Sequence, residues 1–467
     1  MRKFFWLLLF PVFVQAQTMS VSTDSLMKHI NYLASPTLNG RLPGSSGYFT
    51  AVQYSVDFFH NHGLHRAGDF KMRQMVPIET NVIDSARVLI GTEGNMTELK
   101  AGVDFSVRGY SGSGDVTAPV VFCGYGYDST IYSDYKGVDV KGKIVLVFKS
   151  NPPFLKGLPE YSIRRTADAA YRHGAKAVIF VSQPNQKEPQ KPIGSMMHGT
   201  GLFHQDMPQI QVTVEKAGVL MQNSGFTLSR LQTSIDSLQA PASVAAGCNA
   251  SVFVKAGYNP KGHTTNVVAM LPGHDPVLKD EYVILGGHLD HVGSIGKQIY
   301  YPGANDNASG SAAVLELARV FSADSSSLKR SIIFVLFGSE EKGLEGSTFF
   351  VNNLPVPKEK IVAVFNLDCI GCGDSLMAGN GKSCPALWDT AAEVAKLNNW
   401  PMSQRTWEGG GADLTPFFKA GIPGLYFVNT HAHQNLHLPS DSPEIINQEQ
   451  YTRMVKWVEA VTRKLVM

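Results

Sequence analysis

From Asn266 onward, short apolar runs alternate with stretches whose apolar residues recur at helical spacing. The runs are Asn266–Leu271, Tyr282–Leu285, Ser331–Phe337, Ile361–Phe365 and Gly421–Val428; the helical stretches are Ala312–Phe321 and the region around Tyr451–Val466. A strand buried in a parallel sheet reads as a short apolar run closed by turn signals, and such strands alternating with helices predict an α/β architecture. Ser309 and Ser311 stand where they could cap the first of these helices. Two further helices are predicted near the N-terminus, Asp24–Leu33 and Tyr48–His62, the second stopped by Gly63. Between them lies the Pro/Gly/Ser-rich loop SPTLNGRLPGSSG.

From about Val82 to Lys255 the texture changes to short strands with frequent glycines. Ala118–Cys123, Lys143–Phe148 and Ala177–Val181 read as strands, and Ile163–His173, closed by Gly174, reads as a helix. This is enough for a small β-rich domain of its own, and nothing in it suggests catalysis. His198 and His204 fall in a loop where histidines are usually incidental.

A length of 467 residues suits two or three domains, and 43% hydrophobic with 17% charged residues describes an ordinary globular protein. The net charge is +2, with no dense basic stripe, which argues against nucleic acid as a partner. Arg2 and Lys3 precede an apolar run from Phe4 to Val14, with small Ala16 after it. The run is too short to span a bilayer, so residues 1–16 read as a cleaved export signal, leaving a periplasmic or secreted protein without a stable membrane anchor. The five cysteines make no disulfide framework, although one bridge is compatible with an oxidising compartment; Cys369-x-x-Cys372 has no second pair at a matching spacing.

The chemistry gathers where the apolar runs end. Tyr282–Leu285 leads through two glycines into His288, Asp290 and His291; Ser331–Phe337 leads into Glu340 and Glu341; Ile361–Phe365 leads into Asp368. Asp306 precedes a helix in a Gly/Asn-rich loop, and His431, His433 and His437 follow Gly421–Val428. Open α/β sheets place their chemistry past the carboxyl ends of their strands. Taken singly, each group has an ordinary reading as a turn aspartate or a solvated carboxylate. Together they supply five imidazole and carboxylate ligands, suited to two zinc ions sharing a bridging carboxylate, with Glu340 left over where a general base is wanted.

At these positions the sequence resembles a known family. GGHLDHVG, GANDNASG, GSEEKGLEGS, NLDCIG and HLPSD, together with LNGRLPGSSG, resemble the motifs of two-zinc aminopeptidases related to glutamate carboxypeptidase II. APVVFCGYGYD, DYKGVDVKGKIVLV and GAKAVIFV resemble a protease-associated (PA) domain, a known insertion in that group. The resemblance implies a mixed, mostly parallel α/β sheet sandwiched by helices, of the zinc-exopeptidase kind. The peptidase domain would be discontinuous, 17–81 and 256–467, with a β-rich PA domain inserted at 82–255.

The same resemblance implies roles for individual residues. His288 and Asp368 would bind one zinc, Glu341 and His437 the other, and Asp306 would bridge them. Glu340 would be the general base and Asp290 the partner of His288. His437 is preferred to His431 and His433 because H-x-P-x-D fits the family pattern and Asp441 could orient its ring. Tyr300, Trp407, Asp413 and Phe417 are candidates for the substrate pocket. Two departures stand out: Cys369 where the family often has methionine, and Ala412 before Asp413 where serine is usual. The implied activity is removal of N-terminal residues from peptides. The alternatives are a carboxypeptidase or dipeptidase with the same metal set, and a non-catalytic binding protein using the PA domain.

Overall fold

Successive side chains of a strand point to opposite faces, so a strand apolar throughout needs cover on both sides. The computed structural model describes residues 19–467 apart from 69, 70, 159, 160 and 200, and the export signal expected in residues 1–16 lies outside the described residues. Val283 and Leu285 pack into one core and Ile284 into another; Ile332, Phe334 and Leu336 are divided in the same way from Ile333, Val335 and Phe337. Helices Thr23–Leu33, Ser46–Asn61, Ser309–Ala323, Pro385–Leu397 and Gln448–Val466 cover the first face. Glu345–Asn352 and Leu414–Lys419 cover the second.

The strands run in the order Leu376–Gly379, Gly424–Asn429, Ile361–Leu367, Tyr282–His288, Ser331–Phe337 and Val244–Leu271. The middle four are parallel and the two outer pairings antiparallel. This is the mixed, mostly parallel α/β sheet expected. Because the middle four are parallel, everything that follows them emerges at one edge.

The Asn266–Leu271 run does not begin a strand; it ends a 28-residue one, Val244–Leu271. That strand pairs antiparallel with Arg73–Thr92 from Arg73↔Val267 to Gly91↔Asn249. Pro260 and Lys261 hid the continuity. They fall at a register shift where Ile78 pairs with Gly262 and Thr80 with Asn259, a bulge that leaves the proline no ladder bond to make. Beyond this ladder the sheet continues through Gly114–Phe122, Ile144–Phe148, Ala177–Val181, Gln209–Val212 and Phe105–Val107, around a core of its own. Two helices that the pattern did not predict, Val214–Leu220 and Leu228–Leu238, close that core and are capped by Thr213 and Thr227.

Ser309 and Ser311 do not cap the helix they begin. Ser309 Oγ donates to Asn305 O and Ser311 Oγ to His288 O, while Asn307 Oδ1 accepts from Gly310 N. The hydroxyls instead tie the helix start to the end of the Tyr282–His288 strand and to the loop before it. All five cysteines are free, and among the described residues no helix is long and apolar enough to cross a membrane.

Candidate metal centre

Parallel pairing places His288 beside Phe337, and Gly286 beside Asn366, so the residues just beyond these strands converge. Ligand atoms of His288, Asp306 and Asp368 lie within 4.8 Å of one another, as do those of His291, Asp306, Glu341 and His437. Asp306 belongs to both groups. His288 Nε2 lies 3.3 Å from Asp306 Oδ1 and 3.4 Å from Asp368 Oδ1. On the other side, His437 Nε2 lies 3.2 Å from Asp306 Oδ2 and 2.8 Å from Glu341 Oε2. His431 and His433 do not join either group; they line a separate cavity with Trp407.

His291 was not expected in the cluster. Its Nδ1 is 2.8 Å from Glu341 Oε1 and 3.6 Å from Asp306 Oδ2. The sign of it was in the sequence, since H-L-D-H puts a second imidazole one residue past Asp290 on the same loop.

The supporting bonds differ from those expected. The ring nitrogen of His288 away from the cluster, Nδ1, sits 3.1 Å from the carbonyl of Asp290 and 3.9 Å from its carboxylate. An Nδ1–H donated to that carbonyl leaves Nε2 free to face the carboxylates. The Asp290 carboxylate accepts instead from the backbone amides of Glu340 and Glu341, fixing the adjacent pair. Asp441 likewise does not orient His437; its two oxygens accept from the amides of Asn305 and Asp306, at 2.8 and 3.0 Å, and so set the Asp306 loop.

Arg41, from the LNGRLPGSSG loop, is fully buried and braces the same two loops. It donates to the carbonyls of Leu289, Pro302 and Gly303, and to Leu33. Arg41→Lys keeps the charge but cannot reproduce the fork. With at least one carbonyl unpaired, at about 1–3 kcal/mol each, urea unfolding will show a stability loss of at least about 1 kcal/mol.

Electrostatics explain what the cluster is built to hold. Asp290, Asp306, Asp368, Asp413 and Asp441 are all buried, and Glu340 and Glu341 stand beside them. Burial opposes ionisation of Asp306, but the imidazoles of His288 and His437 beside its carboxylate hold it well below the usual range. Burial, and then the nearby carboxylates of Asp413, Glu341 and Asp368, holds Glu340 well above that range. Burial pushes Asp413 up to about 7. Meanwhile Asp306 Oδ2, Asp368 Oδ1 and His291 Nε2 are buried without a hydrogen-bond partner. Buried carboxylates crowded together call for cations, and oxygen and imidazole donors on both sides of one aspartate suit two divalent ions of the zinc type.

The pocket candidates fare unevenly. Trp407 lines the cavity with His431 and His433, beside Tyr426, whose hydroxyl donates to Asp368 Oδ2 at 3.1 Å. Phe417 lines nothing: it is fully buried against Phe337 and Phe350, one of the side chains that hold the second helix layer on the sheet. Asp413 is also fully enclosed and acts on Glu340 through charge. Tyr300 sits half-exposed on the short Ile299–Tyr300 strand and lines neither cavity at the centre. Conversely, His198 from the inserted domain does reach one of them, a cavity of about 280 Å³ that it shares with Glu341 and His437.

Comparison with known proteins agrees with this geometry. Residues 266–462 match peptidase family M28, and residues 116–220 match the PA domain. Aminopeptidase YwaD of Bacillus subtilis (strain 168) is 28% identical over 390 residues, which cover 79% of this chain and 72% of YwaD. BSAP, a zinc aminopeptidase from Bacillus subtilis, shares the fold with a TM-score of 0.67 at 22% identity, over 96% of each chain. The aminopeptidase from Aneurinibacillus sp. strain AM-1 does so with a TM-score of 0.65 at 24% identity, over 97% of this chain and 95% of its own. The segment that carries the cluster is thus similar to the peptidases of family M28, and the segment that borders its cavity is similar to the PA domain.

Proposed function

We propose that the protein is an exported aminopeptidase that hydrolyses N-terminal residues from peptides with two zinc ions. The observation that carries this reading is the sharing of Asp306 between two groups of imidazole and carboxylate donors, with Glu340 beside both and a ligand in neither. His288 and Asp368 would hold one zinc, Glu341 and His437 the other, and Asp306 both; His291 stands within reach of the second site. When bound, the ions supply Lewis acidity for a peptide carbonyl and acidify water. Everything else falls to the chain. Glu340 accepts the proton of the attacking water on its carboxylate and delivers it to the amide nitrogen as the C–N bond breaks, so the new amine leaves neutral. Asp290 holds Glu340 and Glu341 by their amides, and Asp441 with Arg41 holds the Asp306 loop. The surrounding carboxylates favour an ammonium, which places the free N-terminus of a peptide at this end of the cavity.

Export rests on the basic and apolar residues at the start of the chain. For the domains, the division proposed is 17–81 with 256–467 for the peptidase and 82–255 for the PA insertion. It crosses the long ladder where Val82 pairs with Gly257 and Ile83 with Ala256, next to a register shift. The metal requirement is tested by stripping the protein with chelator and returning zinc stepwise. Release of N-terminal leucine from a peptide will reappear and level off at two equivalents per chain; activity that survives stripping refutes the reading.

A further inference from the structure

His437 is held differently from His288. It lies in the loop after the Gly424–Asn429 strand, and its backbone is left-handed, with a φ of 56°. A residue with a side chain persists in that region where its surroundings hold it there. The two ends of the loop are tied, by Asn305 Nδ2 donating to the Ala432 carbonyl and by the Asp441 contacts already described. From 433 to 440, among the described residues, one backbone hydrogen bond reaches another part of the chain: Gly194 N donates to His437 O at 2.9 Å. Among the same residues no protein group bonds the second ring nitrogen of His437, whereas Nδ1 of His288 meets the Asp290 carbonyl.

Gly194 belongs to the stretch similar to the PA domain, in the long connection from Ser182 to Pro208, whose described residues form no helix or strand. Three successive residues seat this connection. On one side Ser195 Oγ accepts from Gly109 N at 2.9 Å, within the inserted domain. On the other, Met196 is buried with Leu42, Val292 and Tyr301 of the peptidase domain. Gly194 has no room for a side chain: a Cβ there would lie 2.5 Å from Val292 Cγ2 and 3.0 Å from the Tyr301 ring. Its own φ is not left-handed, so the glycine is required by contact and not by conformation. Val292 follows His291, and Tyr301 precedes the Pro302 and Gly303 carbonyls that Arg41 braces.

We propose that the Gly194 amide is a positioning group for His437, so that the inserted domain completes the second of the two metal sites. The proposal rests on the two-zinc reading above and extends it. A ligand on a loop tied only at its ends loses freedom each time it takes a metal, and a ligand already fixed does not. Groups that hold a ligand from behind commonly carry about ten- to a hundredfold in metal affinity. The first site needs no such help, because His288 ends one central strand and Asp368 directly follows another. Seating of the inserted domain and filling of the second site are therefore linked, and the linkage is reciprocal: metal held by His437 will hold the Ser182–Pro208 connection down.

The test is the stepwise zinc affinity of the full-length protein, read by competition with a chelating dye. His437→Ala removes the ligand itself and so identifies which binding step belongs to the second site. Gly194→Ala will weaken that step about tenfold or more and leave the other within about twofold of the wild type. Adding Val292→Ala, which gives the new methyl room, will bring the step back to within about threefold of Val292→Ala alone. A general loosening of the fold would move both steps. Hydrogen exchange reads the converse: zinc loading will slow exchange of the Gly194 amide about tenfold or more in the wild type and not in His437→Ala. That measurement carries the comparison if Gly194→Ala fails to fold. Two steps unchanged in Gly194→Ala, two steps weakened alike, or no zinc-dependent protection of the Gly194 amide overturns the proposal and leaves the two-zinc reading standing. Wild-type protein that takes up a single ion overturns both.

Discussion

Glu340→Gln protein will bind two zinc ions per chain and turn over peptides about a hundred- to ten-thousandfold more slowly than the wild type, the span that a positioned general base contributes. The reason lies in position. Glu340 is adjacent in sequence to Glu341, held by the same Asp290 carboxylate, yet it belongs to neither group of converging donors. Glutamine is close in size and needs no counter-charge, so the Asp290 clamp on the backbone amide is untouched by the change. What is lost is a basic oxygen. Without a cation, burial and three neighbouring carboxylates hold Glu340 well above the usual range; bound divalent ions would oppose that shift. Metal analysis alongside steady-state kinetics checks the point. A metal-replete variant with wild-type turnover would remove Glu340 from the reaction.

Asp306→Ala will have a larger effect and a different signature: bound zinc falling below one ion per chain, with activity at the chelated background. One carboxylate faces His288 through Oδ1 and His437 through Oδ2, so no other single change touches both halves of the centre. The loop that carries it is fixed independently, by Asp441 on the amides of Asn305 and Asp306 and by Asn305 Oδ1 on the amides of Gly371 and Cys372. The variant is therefore expected to fold, with the loop in place and the shared ligand missing. Asp306→Asn, which keeps the shape, will also lose metal because the bridging charge is gone. A folded Asp306→Ala protein that retains two ions and turns over would mean that the bridge is elsewhere.

The peptidase sheet was legible because its strands are buried on both faces and so carry unbroken apolar runs, each ending in a residue of distinct chemistry. Ser331–Phe337 is bounded in the structure where the apolar pattern bounds it. His288, Asp306, Glu341, Asp368 and His437 were each readable as strand-end or loop residues, and the structure brings all five together. What escaped was of two kinds. A long strand running from one core of the sheet to the other was broken by the pattern where a bulge took in a proline and a glycine, at Pro260 and Gly262. Contacts set by folding rather than by spacing were also out of reach. Phe417 looks like a pocket aromatic in sequence and is a core one; Asp441 is spaced to orient His437 and holds two amides instead; Gly194 lies far before His437 in the chain and bonds its carbonyl. Periodicity reports which face a side chain takes, not which distant segment closes over it.

The central claim is that this two-sided cluster removes residues from the N-termini of peptides. The direct measurement is mass spectrometry of a mixed peptide set incubated with the zinc-loaded protein and, in parallel, with the chelated protein. The set holds free and acetylated N-termini, each with free and amidated C-termini. Stepwise loss from free N-termini alone, abolished by chelator, is the predicted result. Shortening from the C-terminus, or no cleavage by protein carrying two zinc ions, would contradict it.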